Sequence, residues 1–314
     1  MNSIVVENLT KKFGDRVAVD NVTFNIKKGE VFGLLGPNGA GKTTIISMLT
    51  TLLRPTSGRA LVDGYDVLKE SFKVRKSIGL VFQETILDED LKAYDNLLTH
   101  ASLYNVPREE IKERINELLN LVGLGAEIKT RVGKFSGGMK RRLEIARGLI
   151  HHPKVLFLDE PTIGLDPKTR HLIWDYIRKL NEKTDVTILL TTHYLEEADF
   201  LCDRVAIINE AEIVAMDTPE NLKHSLGGDL IKVQLDRRDP KLEKELKKLS
   251  FVEKMNIREN TISITVQCGE EHVVEIIMLI DKFPSVIKSL NLREPTLDDV
   301  FLYHTGEKFN NQQN

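Results

Sequence analysis

The sequence predicts an α/β fold with a parallel-sheet core, followed by a small α+β unit of ferredoxin-like order. Three observations carry this expectation. Apolar strand-sized runs alternate with helical patterns between residues 30 and 209. A glycine-rich loop at 36–43 joins one of those strands to a helix. Beyond residue 229 the order changes to strand, helix, two strands, helix, strand.

The elements follow in order. IVVENLTKKF alternates, breaks at Gly14, and VAVDNVTFNI follows, so a hairpin opens the chain. A short apolar strand at 30–35 runs into the glycine-rich loop. A helical face then starts at Thr43, with Ile46, Leu49 and Leu53 on one side. Residues 84–135 read mostly as helix, and the helical subdomain spans about 84–150. Next come a helix from Ser136, the strand VLFLDE, a helix at 167–180, the strand VTILLTTH, the helix YLEEADFLC and the strand RVAIIN.

LGGD near 226–229 interrupts the pattern, which divides the chain into 1–226 and 229–314. In the second part LIKVQLD, FVEKMNIRE, TISITVQ and SVIKSLNLR read as strands, with a tight turn at Glu259 and Asn260. KLEKELKKL is an amphipathic helix with Leu242, Leu246 and Leu249 on one face, and EEHVVEIIMLIDKF is a second. Pro295 and Thr296 start a short helix whose face of Leu297, Val300, Phe301 and His304 should dock on protein. No polar cluster in this unit suggests a pocket; its role stays open between a packing cap, a second contact between copies and a ligand sensor, and the contact between copies is the more attractive reading. The tail from Glu307 reads as polar and frayed.

Composition excludes several classes. With 314 residues, 41% of them hydrophobic, a packed core is feasible and general disorder is not expected. The net charge of −3 offers no basic footprint for nucleic acid. The two cysteines, Cys202 and Cys268, fit no metal-ligand spacing and read as buried apolar side chains in a reducing compartment. No run approaches a bilayer span, and the first residues lack a signal-peptide pattern. The expected location is cytoplasmic.

The chemistry concentrates in a few motifs. Gly36, Pro37, Asn38, Gly39, Ala40, Gly41, Lys42 and Thr43 form G-x-x-x-x-G-K-[ST], followed by Thr44. Such a loop converges backbone N–H groups on phosphate, and the helix behind it adds its positive end. Lys42 would reach the β- and γ-phosphates, and the Thr43 hydroxyl would hold Mg²⁺. Asp159 and Glu160 end the apolar strand VLFLD. Alternation along a strand points them to opposite faces, so their roles differ. Asp159 suits Mg²⁺, and Glu160 suits a general base. Ser136, Gly137 and Gly138 open a helix as a second anion cradle. One γ-phosphate cannot easily sit in two cradles of one domain, so the second should serve nucleotide bound to another copy.

Phosphate loop, Gln83, FSGGM, VLFLDEP, Gly164-Leu165-Asp166 and His193 stand in the order of ABC-type ATPases, which residues 3–225 resemble. The resemblance implies an ABC-type P-loop ATPase domain binding ATP and Mg²⁺. Phe13 takes the place of the adenine-stacking aromatic. Gln83 resembles the loop glutamine that touches Mg²⁺ or water. Asp166 resembles the loop aspartate at the dimer interface, and His193 the switch histidine at the γ-phosphate. The implied partners are a second copy in a head-to-tail homodimer and a separate integral-membrane permease. The implied location is peripheral, on the inner face of the cell membrane.

Three positions depart from the pattern. Phe135 and Met139 stand where Leu and Gln are usual, and Phe13 replaces the commoner Tyr. The backbone donors of 136–138 are untouched. TTHYLEEADFLCDRVAIIN, DTPENLK and EPTLDDVFL resemble the branch of drug-, antibiotic- and polysaccharide-exporting ATPases of the daunorubicin-resistance type. The related chromosome, repair and ribosome ATPases carry long coiled-coil insertions or paired ATPase domains. Here about 50 residues separate Gln83 from Ser136 and one ATPase domain is present, which favours transport.

Overall fold

A computed structural model describes residues 1–267 and 269–306. They divide between Thr218 and Pro219, earlier than the LGGD boundary expected from the sequence. The reason is local. Helix α8 (Pro219–His224) precedes LGGD but packs against the C-terminal helix α11 (Leu297–Thr305).

The first unit opens with β1 (Asn2–Phe13) and β2 (Arg16–Lys27), joined at Gly14. They enter an antiparallel sheet of order β2-β1-β4-β5 with β4 (Ser57–Val62) and β5 (Tyr65–Asp66). The central sheet contains β3 (Val31–Leu35), β6 (Ile78–Val81), β7 (Val155–Asp159), β8 (Thr187–Thr192), β9 (Arg204–Asn209) and β10 (Glu212–Asp217). Its order is β10-β9-β3-β8-β7-β6, all parallel except the antiparallel pairing of β10 with β9. Every residue of β3, β7 and β8 is buried. That is why these strands read as continuous apolar runs: helices cover both faces of a parallel sheet.

The helices of this unit are α1 (Lys42–Leu49), α2 (Ser71–Ser77), α3 (Ala93–Leu103), α4 (Arg108–Leu121), α5 (Gly137–Gly148), α6 (Pro167–Thr184) and α7 (Leu195–Leu201). α3, α4 and α5 fill the segment 84–150. Caps set several boundaries. Ser136 accepts from Met139 N at 3.3 Å to start α5, and Asp166 accepts from Thr169 N at 3.0 Å to start α6. α1 stops at Leu49, short of Leu53, because Thr51 turns left-handed at φ 67. Leu53 still packs on the core, from outside the helix. That core runs from Ile4 and Phe24 through Phe32 and Met48 to Ile208, with Phe24 and Phe32 stacked at 5.4 Å.

The second unit adds β11 (Asp229–Leu235), α9 (Pro240–Leu246), β12 (Val252–Arg258), β13 (Thr261–Val266), α10 (Gly269–Ile280) and β14 (Ile287–Arg293). The antiparallel order β12-β13-β11-β14 is that of a ferredoxin-like sandwich. Ile231, Val233, Ile262, Ile264, Leu242, Leu246, Ile276 and Ile280 form its own core. α9 ends at Leu246, so Leu249 packs from beyond the helix rather than on its face. α11 starts in a capping box between Thr296 and Asp299 and buries Leu297, Val300 and Phe301. His304 is exposed and does not join that face.

Among the described residues no helix is long and apolar enough to cross a membrane. Cys202 is buried and free, and burial pushes its thiol well above the usual range. Cys268 and the tail from Glu307 lie outside the described residues.

Candidate functional site

The loop after β3 is shaped by its packing. A Cβ on Gly36 would lie 2.4 Å from the Ile208 carbonyl oxygen, and one on Gly41 would lie 2.4 Å from that of Ala18. Gly41 also sits at φ 107, where side chains are strained. The glycines are therefore demanded by neighbouring backbone as well as by any phosphate. The loop delivers Lys42 and Thr43 to the first turn of α1.

Lys42 is 5% exposed. Its Nζ donates to Gly36 O at 2.7 Å and Pro37 O at 3.1 Å, and lies 3.6 Å from Glu160 Oε1. Burial lowers the ammonium's pKa against the opposing pull of the Glu160 carboxylate. Thr43 Oγ1 donates to Asp159 Oδ1 at 3.2 Å, and Thr191 Oγ1 donates to the same oxygen at 2.5 Å.

Glu160 departs from the expectation of strand alternation. β7 ends at Asp159, and Glu160 turns left-handed at φ 46. Its N–H donates to Thr191 O and Thr191 Oγ1, on the neighbouring strand. The two carboxylates are separated by that reversal, not by pleat geometry. Glu160 Oε2 accepts from His193 Nδ1 at 2.9 Å. Burial alone would raise the Glu160 carboxyl, but the His193 hydrogen bond and charge, with Lys42 beside it, hold it below the usual range.

A cleft of about 580 Å³ opens over these groups. Asn38, Gly39, Gly41, Lys42, Thr43, Thr44, Gln83 and Glu160 line it, with Phe13 and Arg16 from the first hairpin. Phe13 is half exposed, with Lys11 Nζ 5.0 Å from its ring centre. Gly36 and Ala40 are buried behind the loop, and Pro37 is part of it. Asp159 and His193 reach the cleft through Thr43 and Glu160. Ser136, Gly137, Gly138 and Asp166 do not line it. Those four sit together elsewhere on the unit. Asp166 Oδ2 accepts from Thr169 Oγ1 at 2.6 Å, and a Cβ on Gly138 would meet Thr169 Cγ2 at 2.3 Å.

The residues fit Mg-nucleotide on their own chemistry. Thr43 and Asp159 present two hard oxygens 3.2 Å apart, the donor type of Mg²⁺, which takes its remaining ligands from phosphate and water. Gly39, at φ 84 with nothing within 4 Å of where a Cβ would stand, leaves the loop open toward a ligand.

Two structural features carry little or no sequence signal. Arg141 and Glu144, one turn apart on α5, are buried against the cleft's backbone. A charged pair at i and i+3 on a helix is their only signal. In the second unit a groove of about 400 Å³ lies between α11 and the sheet, lined by Leu230, Met255, Ser263, Thr265 and Tyr303 among others. No pocket was expected there.

Comparison with known proteins places this geometry. Residues 19–163 match the ABC transporter family, and residues 218–305 match the C-terminal domain of DrrA1-3-like ATP-binding proteins. The chain is 39% identical to the linearmycin resistance ATP-binding protein LnrL of Bacillus subtilis, covering 96% of this chain and 97% of that protein. It is 40% identical to the daunorubicin resistance ATP-binding protein DrrA3 of Streptomyces coeruleorubidus, over 97% and 96%. Among solved structures, the ATP-binding cassette MJ0796, a dimer in a post-hydrolysis state bound to ADP and Pi, matches at TM-score 0.61 and 32% identity. That match covers 68% of this chain and 98% of the cassette. With a phosphate loop and the Glu160 carboxylate in one cleft, Asp159 bonded to the loop's Thr43, and relatives aligned almost end to end, the chain belongs to the ATP-binding proteins of ABC transporters and is an ABC-type ATPase.

Proposed function

We propose that this ATPase binds Mg-ATP in the cleft over Lys42 and drives export through a separate integral-membrane permease. The observation that carries the reading is the split of the site. Phosphate loop, Asp159, Glu160, His193 and Gln83 gather at one cleft, while Ser136, Gly137, Gly138 and Asp166 stand outside it. A second copy turned head to tail would supply those four to complete each site. The dimeric state of the MJ0796 cassette supports this arrangement.

Within the cleft, the loop N–H groups and Lys42 bind the phosphates. Thr43 and Asp159 hold Mg²⁺, which neutralises phosphate charge when bound, and Gln83 contributes at the same position. Glu160, ionised and held by His193, orients and deprotonates the attacking water. Phe13 offers a ring face to the base. Nucleic acid is not a partner in this reading, since the chain carries no basic excess. The names of the relatives, resistance proteins for linearmycin and daunorubicin, point to drugs of that kind as the class of cargo. The protein would then sit at the inner face of the membrane, held there by its permease.

The test is turnover by the purified protein, alone and with its permease. ATP hydrolysis should require Mg²⁺ and stop when EDTA removes it. Absence of any Mg²⁺-dependent turnover in both preparations would overturn the proposal.

A further inference from the structure

A buried charge is costly unless it is paired and hydrogen-bonded. Arg141 and Glu144 on α5 are 6% and 0% exposed. A guanidinium has five N–H donors, and at Arg141 five acceptors meet them. Nε donates to Pro161 O at 2.7 Å. Nη2 donates to Asp159 O at 3.0 Å and Glu160 O at 3.1 Å. Nη1 donates to Phe82 O and to Glu144 Oε2, the latter at 3.1 Å. The other oxygen of Glu144 accepts from Ile86 N at 2.9 Å.

The acceptors are not scattered. Three are consecutive carbonyls, 159–161, brought onto one guanidinium around the left-handed turn of Glu160. A non-glycine residue keeps that conformation only where its surroundings over-determine it. Phe82 O and Ile86 N bracket the short segment that carries Gln83. All of these bonds come from one helix, capped by Ser136.

We propose that the Arg141–Glu144 pair is a positioning device that holds Glu160 and Gln83 as one block and ties that block to the helix headed by Ser136. This rests on the roles given to Glu160 and Gln83 above. Among the described residues Arg141 hydrogen-bonds backbone carbonyls and Glu144, so it acts through the residues it positions. A lysine keeps the charge but has three donors and no planar fork, so it cannot serve five acceptors.

Arg141→Lys is the first test. The expected result is a fall in kcat of about tenfold or more, with KM for ATP within about threefold, because the phosphate loop is untouched. The thermal midpoint should stay close to that of the parent. Glu144→Gln, which loses one acceptor and keeps the shape, should shift kcat in the same direction by less, and serves if the lysine variant does not fold. A cycle with Gln83→Ala separates positioning from plain packing. If Arg141 works partly through Gln83, the double variant turns over about as fast as the slower single variant. Full multiplication of the two losses, or equal damage to kcat and KM in step with lost folded protein, overturns the proposal. Normal turnover in Glu160→Gln would instead defeat the underlying assignment. Loss of turnover there, with Arg141→Lys unchanged, would defeat the positioning role alone.

Discussion

Lys42 Nζ stands 3.6 Å from Glu160 Oε1, with both side chains less than a tenth exposed. A cation from the phosphate loop and an anion from the end of β7 thus share one desolvated position, where neither is well hydrated. Incoming phosphate would compete with Glu160 for that cation. Lys42→Ala is therefore expected to weaken ATP binding and turnover together. A nucleotide titration checks it, and unchanged affinity with unchanged rate would remove the loop from the site.

Glu160→Gln should keep ATP binding and lose most turnover, since a positioned general base contributes about 10²–10⁴-fold. The variant should accumulate as an ATP-bound dimer, visible by size-exclusion chromatography with Mg-ATP. Near-normal hydrolysis would show that another group activates the water.

The His193–Glu160 contact makes a pH prediction. Burial pushes the Glu160 carboxyl up, and His193 and Lys42 bring it below the usual range. Removing His193 leaves the burial with less to oppose it, so the carboxyl should titrate at higher pH. In His193→Ala the acidic limb of the kcat profile should move upward, on top of any loss of rate. The same sign governs stability. A depressed carboxylate stabilises the fold above its unfolded pKa of about 4.3, and that contribution is lost as pH falls through the folded value. An acidic limb that stays in place would mean His193 does not set the ionisation of Glu160.

Gly137→Asp tests the second cradle with little risk to folding. A Cβ there meets only Leu165 Cδ2, at 3.4 Å, and the backbone is not left-handed. The variant should bind ATP as a monomer and fail to dimerise or hydrolyse. Mixed with Lys42→Ala it should regain part of the activity, because one composite site then joins two intact halves. A mixture as inactive as either parent counts against sites shared between copies.

Residues 1–218 carry the whole cleft and the helix starts at Ser136 and Asp166, and the dimeric MJ0796 cassette matches over 68% of the chain, a region of about that size. A chain ending at Thr218 should bind ATP with affinity near that of the full protein. We expect it to self-associate more weakly without nucleotide, because the second unit would otherwise keep the copies at high effective concentration. Sedimentation of both forms decides this. Identical monomeric behaviour would reduce the second unit to a cap.

Much of this molecule is legible in the sequence because its signals are local. Apolar runs buried on both faces announce β3, β7 and β8. Caps such as Ser136 and Asp166 mark helix starts within four residues of chain. The βαββαβ order of the second unit needs only alternation and turns. Tertiary structure decided the rest. It turned Glu160 left-handed out of its strand, moved the unit boundary to Thr218 through the packing of α8 on α11, and opened a groove beside Tyr303. It also made Arg141 the hub of the cleft's backbone. The physical reason is the kind of partner involved. Arg141 is held almost entirely by carbonyl oxygens, and every residue carries one, so no sequence pattern can say which of them will converge on a given side chain.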